Sequence, residues 1–251
     1  MHNDELIGLV PAAGKGVRLG LPYPKELYPV IRNNHYKPIS QFVLDSLTSS
    51  AVSHVVFVIN ETKHQLMGFF GSGRRFGCSI SYVVQESSSD HGLSTSPGLA
   101  HALDSAYHLV RDKTVCFGMA DTIMQPVNVF DRALASANAD DDAILILFPT
   151  ERPEKFGMVH TDSNRRVLEI VDKPKETDLF EMWGAIVWRL RFTEFLHEAV
   201  NRLGISDFAE IMNRAIQQGF RFRGVTMNEG VYIDLGTYDE ICELDMRYRG
   251  E

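Results

Sequence analysis

Between residues 11 and 25 the chain reads Pro-Ala-Ala-Gly-Lys-Gly-Val-Arg-Leu-Gly-Leu-Pro-Tyr-Pro-Lys, which supplies Lys15, Arg18 and Lys25 and no carboxylate. The whole chain sets 25 Lys/Arg against 33 Asp/Glu, a net charge of −8, so this local excess of cations is informative. Ala12, Ala13, Gly14 and Gly16 have little or no side chain, and their backbone N–H groups can approach a ligand closely. Small residues combined with cations suit a polyphosphate, whose oxygens take N–H groups while Arg18 and Lys25 neutralise its charge. No Gly-Lys-Ser/Thr closes the stretch, which excludes a Walker A loop. Gly14 and Gly16 match the start of a dinucleotide fingerprint, but Leu19 stands where its third glycine belongs, and Pro22 and Pro24 block the helix that should follow. A glycine turn with solvated charges stays open on these residues alone.

Two acidic positions add to this. Asp121 falls just past the apolar run Cys116-Phe-Gly-Met-Ala, and Asp234 lies in Tyr232-Ile-Asp-Leu-Gly-Thr237. Ligands of open α/β sheets bind at the carboxyl ends of strands, where Asp121 would stand. Either residue can instead be a helix cap or turn, although Thr237 is better placed than Asp234 to cap a helix from Tyr238. Between them lies Val171-Asp172-Lys173-Pro174.

The elements that must position these residues follow from hydrophobic periodicity. Strands are expected at Glu5–Val10, His54–Ile59, Ser79–Val84, Thr114–Met119 and Ala143–Phe148, alternating with helices at Ile39–Leu47, Lys63–Phe70, Pro97–Val110 and Val127–Ala137. That alternation predicts an α/β fold, a Rossmann-like three-layer sandwich with a mostly parallel central sheet. The second half changes character. Strands at Gly157–His160, Val167–Val171 and Met182–Trp188 precede helices at Phe192–Arg202 and Asp207–Gln218. Short strands at Arg221–Val225 and Val231–Ile233 and a helix from Tyr238 to Tyr248 then close the chain, giving a smaller α+β portion. The expectation is a single domain over 1–251, with a nucleotide-binding half at 1–150 and an acceptor-binding half at 151–251. Glu86–Ser96 is the one polar, turn-rich stretch, expected to be an exposed mobile loop.

Composition excludes several classes. The acidic balance opposes a nucleic-acid partner, because neutralising phosphates needs a Lys/Arg excess. The longest apolar runs, such as Val55–Ile59 and Ala143–Phe148, are far short of a membrane span. Cys78, Cys116 and Cys242 are odd in number and far apart, so a reducing cytoplasm is expected rather than a disulfide framework. The N-terminal Met-His-Asn-Asp-Glu has no basic region and is not expected to be a signal peptide. No histidine spacing supports zinc.

Taken together, the motifs resemble the nucleotidyltransferase family that makes nucleotide sugars, most nearly its glucose-1-phosphate thymidylyltransferase type. The resemblance rests on Gly14-Lys15-Gly16-Val17-Arg18, Pro24-Lys25, Leu27-Tyr28-Pro29-Val30 and Pro38-Ile39, and it continues in chain order to Asp234. It implies a nucleotide site at Ala12, Ala13, Gly14, Gly16, Gln85 and Gly98, the last two beside the base. It implies Mg²⁺ at Asp121 and Asp234, catalytic roles for Arg18, Lys25 and Lys173, and an acceptor site at Gly157, Asp172, Trp183 and Gly184. Two carboxylates with triphosphate oxygens make a suitable hard-oxygen shell for Mg²⁺. The expected partners are a nucleoside triphosphate and a phosphorylated small molecule, most nearly a sugar 1-phosphate; a homo-oligomer is compatible.

The chain also departs from the pattern. Asp172 replaces a Glu, Phe156 a Tyr, and Trp183 a smaller residue that either stacks on the acceptor or fills core. Arg18 and Lys25 are seven positions apart, similar to the short loop of cytidylyltransferases, so the base is open among dTTP, UTP and CTP and the acceptor extends to choline or cyclitol phosphate. A non-catalytic sensing domain on the same fold should have lost Lys25, Asp121 or Asp234, and all three are present.

Overall fold

Strand β1 (Leu6–Pro11) carries the cationic loop at its carboxyl end, and the sheet built around it determines where that loop can reach. The computed structural model describes residues 5–16, 19–32, 35–86 and 98–249. Arg18, and residues 87–96 of the expected mobile loop, lie outside the described residues.

After β1 come a hairpin of β2 (Pro29–Arg32) and β3 (His35–Pro38), helix α1 (Ile39–Ser49), β4 (His54–Ile59), α2 (His64–Phe70) and β5 (Ser79–Val84). Two short helices, α3 (Leu99–Asp104) and α4 (Tyr107–Val110), lead to β6 (Thr114–Gly118), β7 (Thr122–Gln125), α5 (Val129–Ala135) and β8 (Ala143–Pro149). The second half contains β9 (Gly157–Thr161), β10 (Val167–Asp172), β11 (Glu181–Trp188), α6 (Leu190–Asn201), α7 (Phe208–Gln217), β12 (Phe222–Thr226), β13 (Val231–Asp234) and α8 (Tyr238–Arg249).

A nine-stranded sheet has β5, β4, β1 and β6 in parallel order, with Gly8 opposite Val55 and Cys116. Strand β11 joins antiparallel beside β6, and there the sheet forks to β8 and β12 in one direction and to β9 and β10 in the other. The Rossmann-like α/β architecture is therefore present, with parallel pairings among β5, β4, β1 and β6 and between β8 and β12, and antiparallel pairings gathered around β11 and β9. Strand β4 shows why the sheet is covered on both faces: Val56 and Val58 enter one apolar cluster, while Val55, Phe57 and Ile59 enter the other. The first cluster contains Phe192 and Phe208 from α6 and α7, and the second contains Val43 and Leu47 from α1.

Three elements differ from expectation. The helix expected over 97–110 is divided at Ser105 and Ala106 into α3 and α4, with the Ser105 hydroxyl and N–H both bonded to the carbonyl of His101, at 2.8 and 3.0 Å. The two strands of the β2–β3 hairpin and β7 are each only four residues long, too short for periodicity to mark. Among the described residues no helix is long and apolar enough to cross a membrane.

Candidate active site

The site is built where β1 and β6 end and where β13 returns. Ala12 donates its N–H to the carbonyl of Val58 at 2.7 Å, and buried Asn60 donates its side-chain amide to the carbonyl of Ala13 at 2.8 Å. These bonds hold the start of the loop against β4. Gly14 is exposed, and Gly16 has φ +63°. From there the loop borders a pocket of about 260 Å³ whose walls include Lys15, Gly16, Lys25, Thr62 and Lys63.

Lys25 opens a 3-10 turn, Lys25–Leu27, and its ammonium donates to Asp121. Burial works against the charged Lys25, but the Asp121 carboxylate and its hydrogen bond outweigh that and raise the pKa overall. The next residue, Glu26, points the other way and accepts from Lys63; both side chains are almost fully buried, at 2% and 4% exposure. Burial pushes the Glu26 carboxyl up and the Lys63 ammonium down, each opposed by its partner's charge. Neither Glu26 nor Lys63 was marked by the motifs.

Asp121 and Asp234 are 113 positions apart in sequence and are brought together by one short ladder. Strand β13 pairs antiparallel with β7, setting Asp234 opposite Thr122, and the N–H of Leu235 donates to the carbonyl of Asp121 at 3.0 Å. Asp121 starts no helix; a strand follows it. Thr237 rather than Asp234 serves the start of α8, its hydroxyl accepting from the N–H of Glu240 at 3.4 Å. The Asp234 carboxyl is pushed up to about 7, first by burial and then by the charges of Asp121 and Glu240, with Lys25 and Lys155 opposing.

This pair fits a divalent cation. Oδ1 of Asp121 is buried without a hydrogen-bond partner, and the Asp121 charge helps push up the Asp234 carboxyl, a penalty that a cation between them would relieve. Among the described residues no group of three or more His, Cys, Asp or Glu stands ready to hold a metal. The protein would thus supply two oxygens, and phosphates and water the remainder, which is how Mg²⁺ is commonly held.

A second cavity of about 370 Å³ has both of these carboxylates in its wall. Asp121, Asp234, Gly157, Asp172, Lys173 and Trp183 all line it, so the structure gathers six of the residues singled out in sequence. Lys173 has φ +47° and lies 62% exposed, with Asp172 3.7 Å away. A register shift in β11 between Trp183 and Ala185 re-aims the indole, which rests against Phe117 and Phe208 at ring separations of 6.3 and 6.0 Å. Trp183 is thus both backed by core and part of the cavity wall. A Cβ on Gly157 would stand 2.3 Å from its Nε1, so glycine there is what admits the ring. Gly184 is buried beneath the Tyr232 ring, where a Cβ would be 2.6 Å away, and is not on the cavity wall.

Gln85 is half-buried at the end of β5, its N–H bonded to the carbonyl of Ile59, and Gly98 precedes α3. Both stand at the ends of elements flanking β1 and β4, but neither lines the cavity that holds the two carboxylates. The cavity contains one cation the motifs passed over, Lys155, directly before Phe156-Gly157. Its signal in sequence was only adjacency to that aromatic-glycine pair.

A glycine loop with lysines, two convergent carboxylates and a neighbouring cavity on an α/β sheet define a phosphate-handling class of protein. The sequence model of the nucleotidyl transferase family matches residues 7–251, and the chain belongs to that family. It is 24% identical over 248 residues to the low-salt glycan biosynthesis nucleotidyltransferase Agl11 of Haloferax volcanii, covering 94% of this chain and 64% of that protein. It is 26% identical over 249 residues to a glucose-1-phosphate thymidylyltransferase of Neisseria meningitidis, covering 94% and 80%. The chain thus spans less than two thirds of the length of the Haloferax relative. Among solved structures, a Bacillus anthracis protein described as a glucose-1-phosphate thymidylyltransferase, in complex with sucrose, superposes with a TM-score of 0.81 at 22% identity, covering 98% of this chain and 96% of that one. A UTP-bound UGPase from Acinetobacter baumannii gives 0.73 at 15%, covering 96% and 92%.

Proposed function

We propose that this chain is a nucleotidyltransferase that joins the nucleotidyl group of a nucleoside triphosphate to a sugar 1-phosphate and releases pyrophosphate. The observation that carries the reading is the arrangement around Asp121: one face meets Lys25 at the glycine-loop pocket, and the other opens with Asp234 into the cavity holding Asp172 and Lys173. Two anionic substrates entering from the two pockets would meet at these carboxylates.

The reaction is an in-line displacement. An oxygen of the acceptor phosphate forms a bond to the α-phosphorus, the bond from that phosphorus to the bridging oxygen breaks, and its electron pair leaves with pyrophosphate. The attacking phosphate is already an anion, so no general base is needed. Lys25 stabilises charge at the α-phosphate, Arg18 holds the leaving pyrophosphate, and Lys173 positions the acceptor phosphate. Small residues Ala12, Ala13, Gly14 and Gly16 let the backbone approach the triphosphate, while Gln85 and Gly98 border the base. On the acceptor side, Asp172 contacts hydroxyls, Trp183 over Gly157 forms the wall, and Gly184 acts indirectly by seating Tyr232. Asp121 and Asp234 would hold Mg²⁺, which when bound neutralises phosphate charge. The likeness to nucleotide-sugar enzymes and the three free cysteines suit a cytoplasmic setting.

The test is pyrophosphate release across a grid of dTTP, UTP and CTP against glucose 1-phosphate, other sugar 1-phosphates, choline phosphate and cyclitol phosphates. Release with one NTP and a sugar 1-phosphate supports the reading. Release only with choline or a cyclitol phosphate replaces the acceptor, and silence throughout sinks the activity.

A further inference from the structure

Lys155 closes a 3-10 turn, Pro153–Lys155, immediately before β9. Its Nζ donates to Glu240 Oε1 at 2.8 Å, and Glu240 Oε2 accepts from the N–H of Gly236 at 2.8 Å. Burial alone would raise the Glu240 carboxyl, but these bonds and the Thr237 hydroxyl outweigh it and hold it below the ordinary value. Glu240 is therefore an ionised anchor in the first turn of α8, a few residues beyond Asp234. The lysine it anchors lines the same cavity as Asp121, Asp172, Lys173 and Asp234.

The two lysines of this cavity differ in how they are held. Lys173 is 62% exposed and near only the adjacent Asp172 at 3.7 Å, so ordering it on a substrate costs side-chain entropy. Lys155 is 29% exposed, already ordered by Glu240, and its ammonium has three donors, of which that bond uses one.

We infer that Lys155 is a second and better-held cation for the phosphate of the acceptor, kept in place by Glu240. The inference rests on the proposed acceptor cavity and deepens it: the substrates favoured are those whose phosphate reaches the wall between Lys155 and the two carboxylates. Loss of one charge-assisted contact of this kind weakens binding by about tenfold or more.

The test uses the whole chain with three substitutions, Lys155→Met, Lys155→Arg and Glu240→Gln. Steady-state pyrophosphate release separates the KM of glucose 1-phosphate or choline phosphate from that of the NTP, and calorimetry measures binding of the same two acceptors without turnover. The expected result is an acceptor KM raised about tenfold or more in Lys155→Met, an NTP KM within about twofold of wild type, and recovery in Lys155→Arg. Glu240→Gln keeps the lysine but loosens its anchor, so it should raise the acceptor KM less than Lys155→Met does and leave the NTP KM unchanged. An unchanged acceptor KM in Lys155→Met overturns the inference, as does a Lys155→Met protein whose NTP KM rises as much as its acceptor KM, which would make the pair a structural latch. Acceptor binding that depends on Lys155 in a protein that never releases pyrophosphate would preserve the inference and defeat the proposed activity. A wild-type protein that neither binds nor turns over either acceptor defeats both.

Discussion

The glycine-loop side of the site holds its cations in closed ion pairs, whereas the acceptor side has one held cation, Lys155, and one open pair. On the glycine-loop side, Lys25 is bound to Asp121 and Lys63 to Glu26, the latter pair almost wholly removed from water. On the acceptor side, Lys173 and Asp172 are 62% and 44% exposed and 3.7 Å apart. A prebuilt array suits a ligand part that never varies, such as a triphosphate chain. An open pair backed by the shaped wall of Trp183 and Phe156 leaves selection to contacts that can be altered without rebuilding the core. On the proposed function, the contrast assigns the chemistry to the loop side and the choice of acceptor to the other.

The comparison breaks first at Lys63. Lys63→Met leaves Glu26 buried without its counter-ion and should lower stability by about 3–5 kcal/mol, read by denaturant unfolding. A Lys63→Met/Glu26→Leu double variant should recover much of that loss. If the single variant is as stable as wild type, the loop side is not prebuilt. Lys25→Ala should next cost on the order of 10²–10³ in kcat, measured by pyrophosphate release; if Lys173→Ala costs more than Lys25→Ala, the division of labour is reversed. Gly157→Ala drives a methyl against the Trp183 indole and should cost about 1–3 kcal/mol of stability, with a raised acceptor KM and little change for the NTP.

A smaller effect concerns pH. Asp234 has a folded pKa of about 7 against an ordinary 3.8. Between those values the folded chain binds more protons than the unfolded one, so stability falls as pH rises through the window and levels off above it. Without divalent cation, Asp234→Asn should therefore melt a few degrees above wild type at pH 8, with the gap narrowing towards pH 4. A gap independent of pH would mean that neither burial nor the Asp121 charge raises the Asp234 carboxyl. Lys173→Ala, the smallest change, should alter acceptor KM by only severalfold, because an exposed lysine contributes little preorganisation.

Much of this was legible beforehand, for identifiable reasons. Strands such as His54–Ile59 and Ser79–Val84 match their expected limits because an apolar or alternating run bounded by polar residues has one good solution in a sheet. Asp121 and Asp234 were legible as motifs, yet their closeness depends on β7, which is four residues long and carries no periodic signal. Lys155 and Glu240 are 85 positions apart, and Glu26 and Lys63 are 37 apart. Such ion pairs depend on which helix end meets which strand end, a geometry that residue types alone do not encode. Trp183 illustrates the same limit: its aim is set by a shift in β11 and by the absence of a side chain at Gly157.

The ribbon of β13 and β7 stands apart from the nine-stranded sheet. All strands of that sheet are complete by Thr226, whereas Asp234 arrives only with the ribbon. During synthesis, then, every strand of the main framework emerges before the residue that sets a second carboxylate beside Asp121, so the framework does not wait on the pair it will carry.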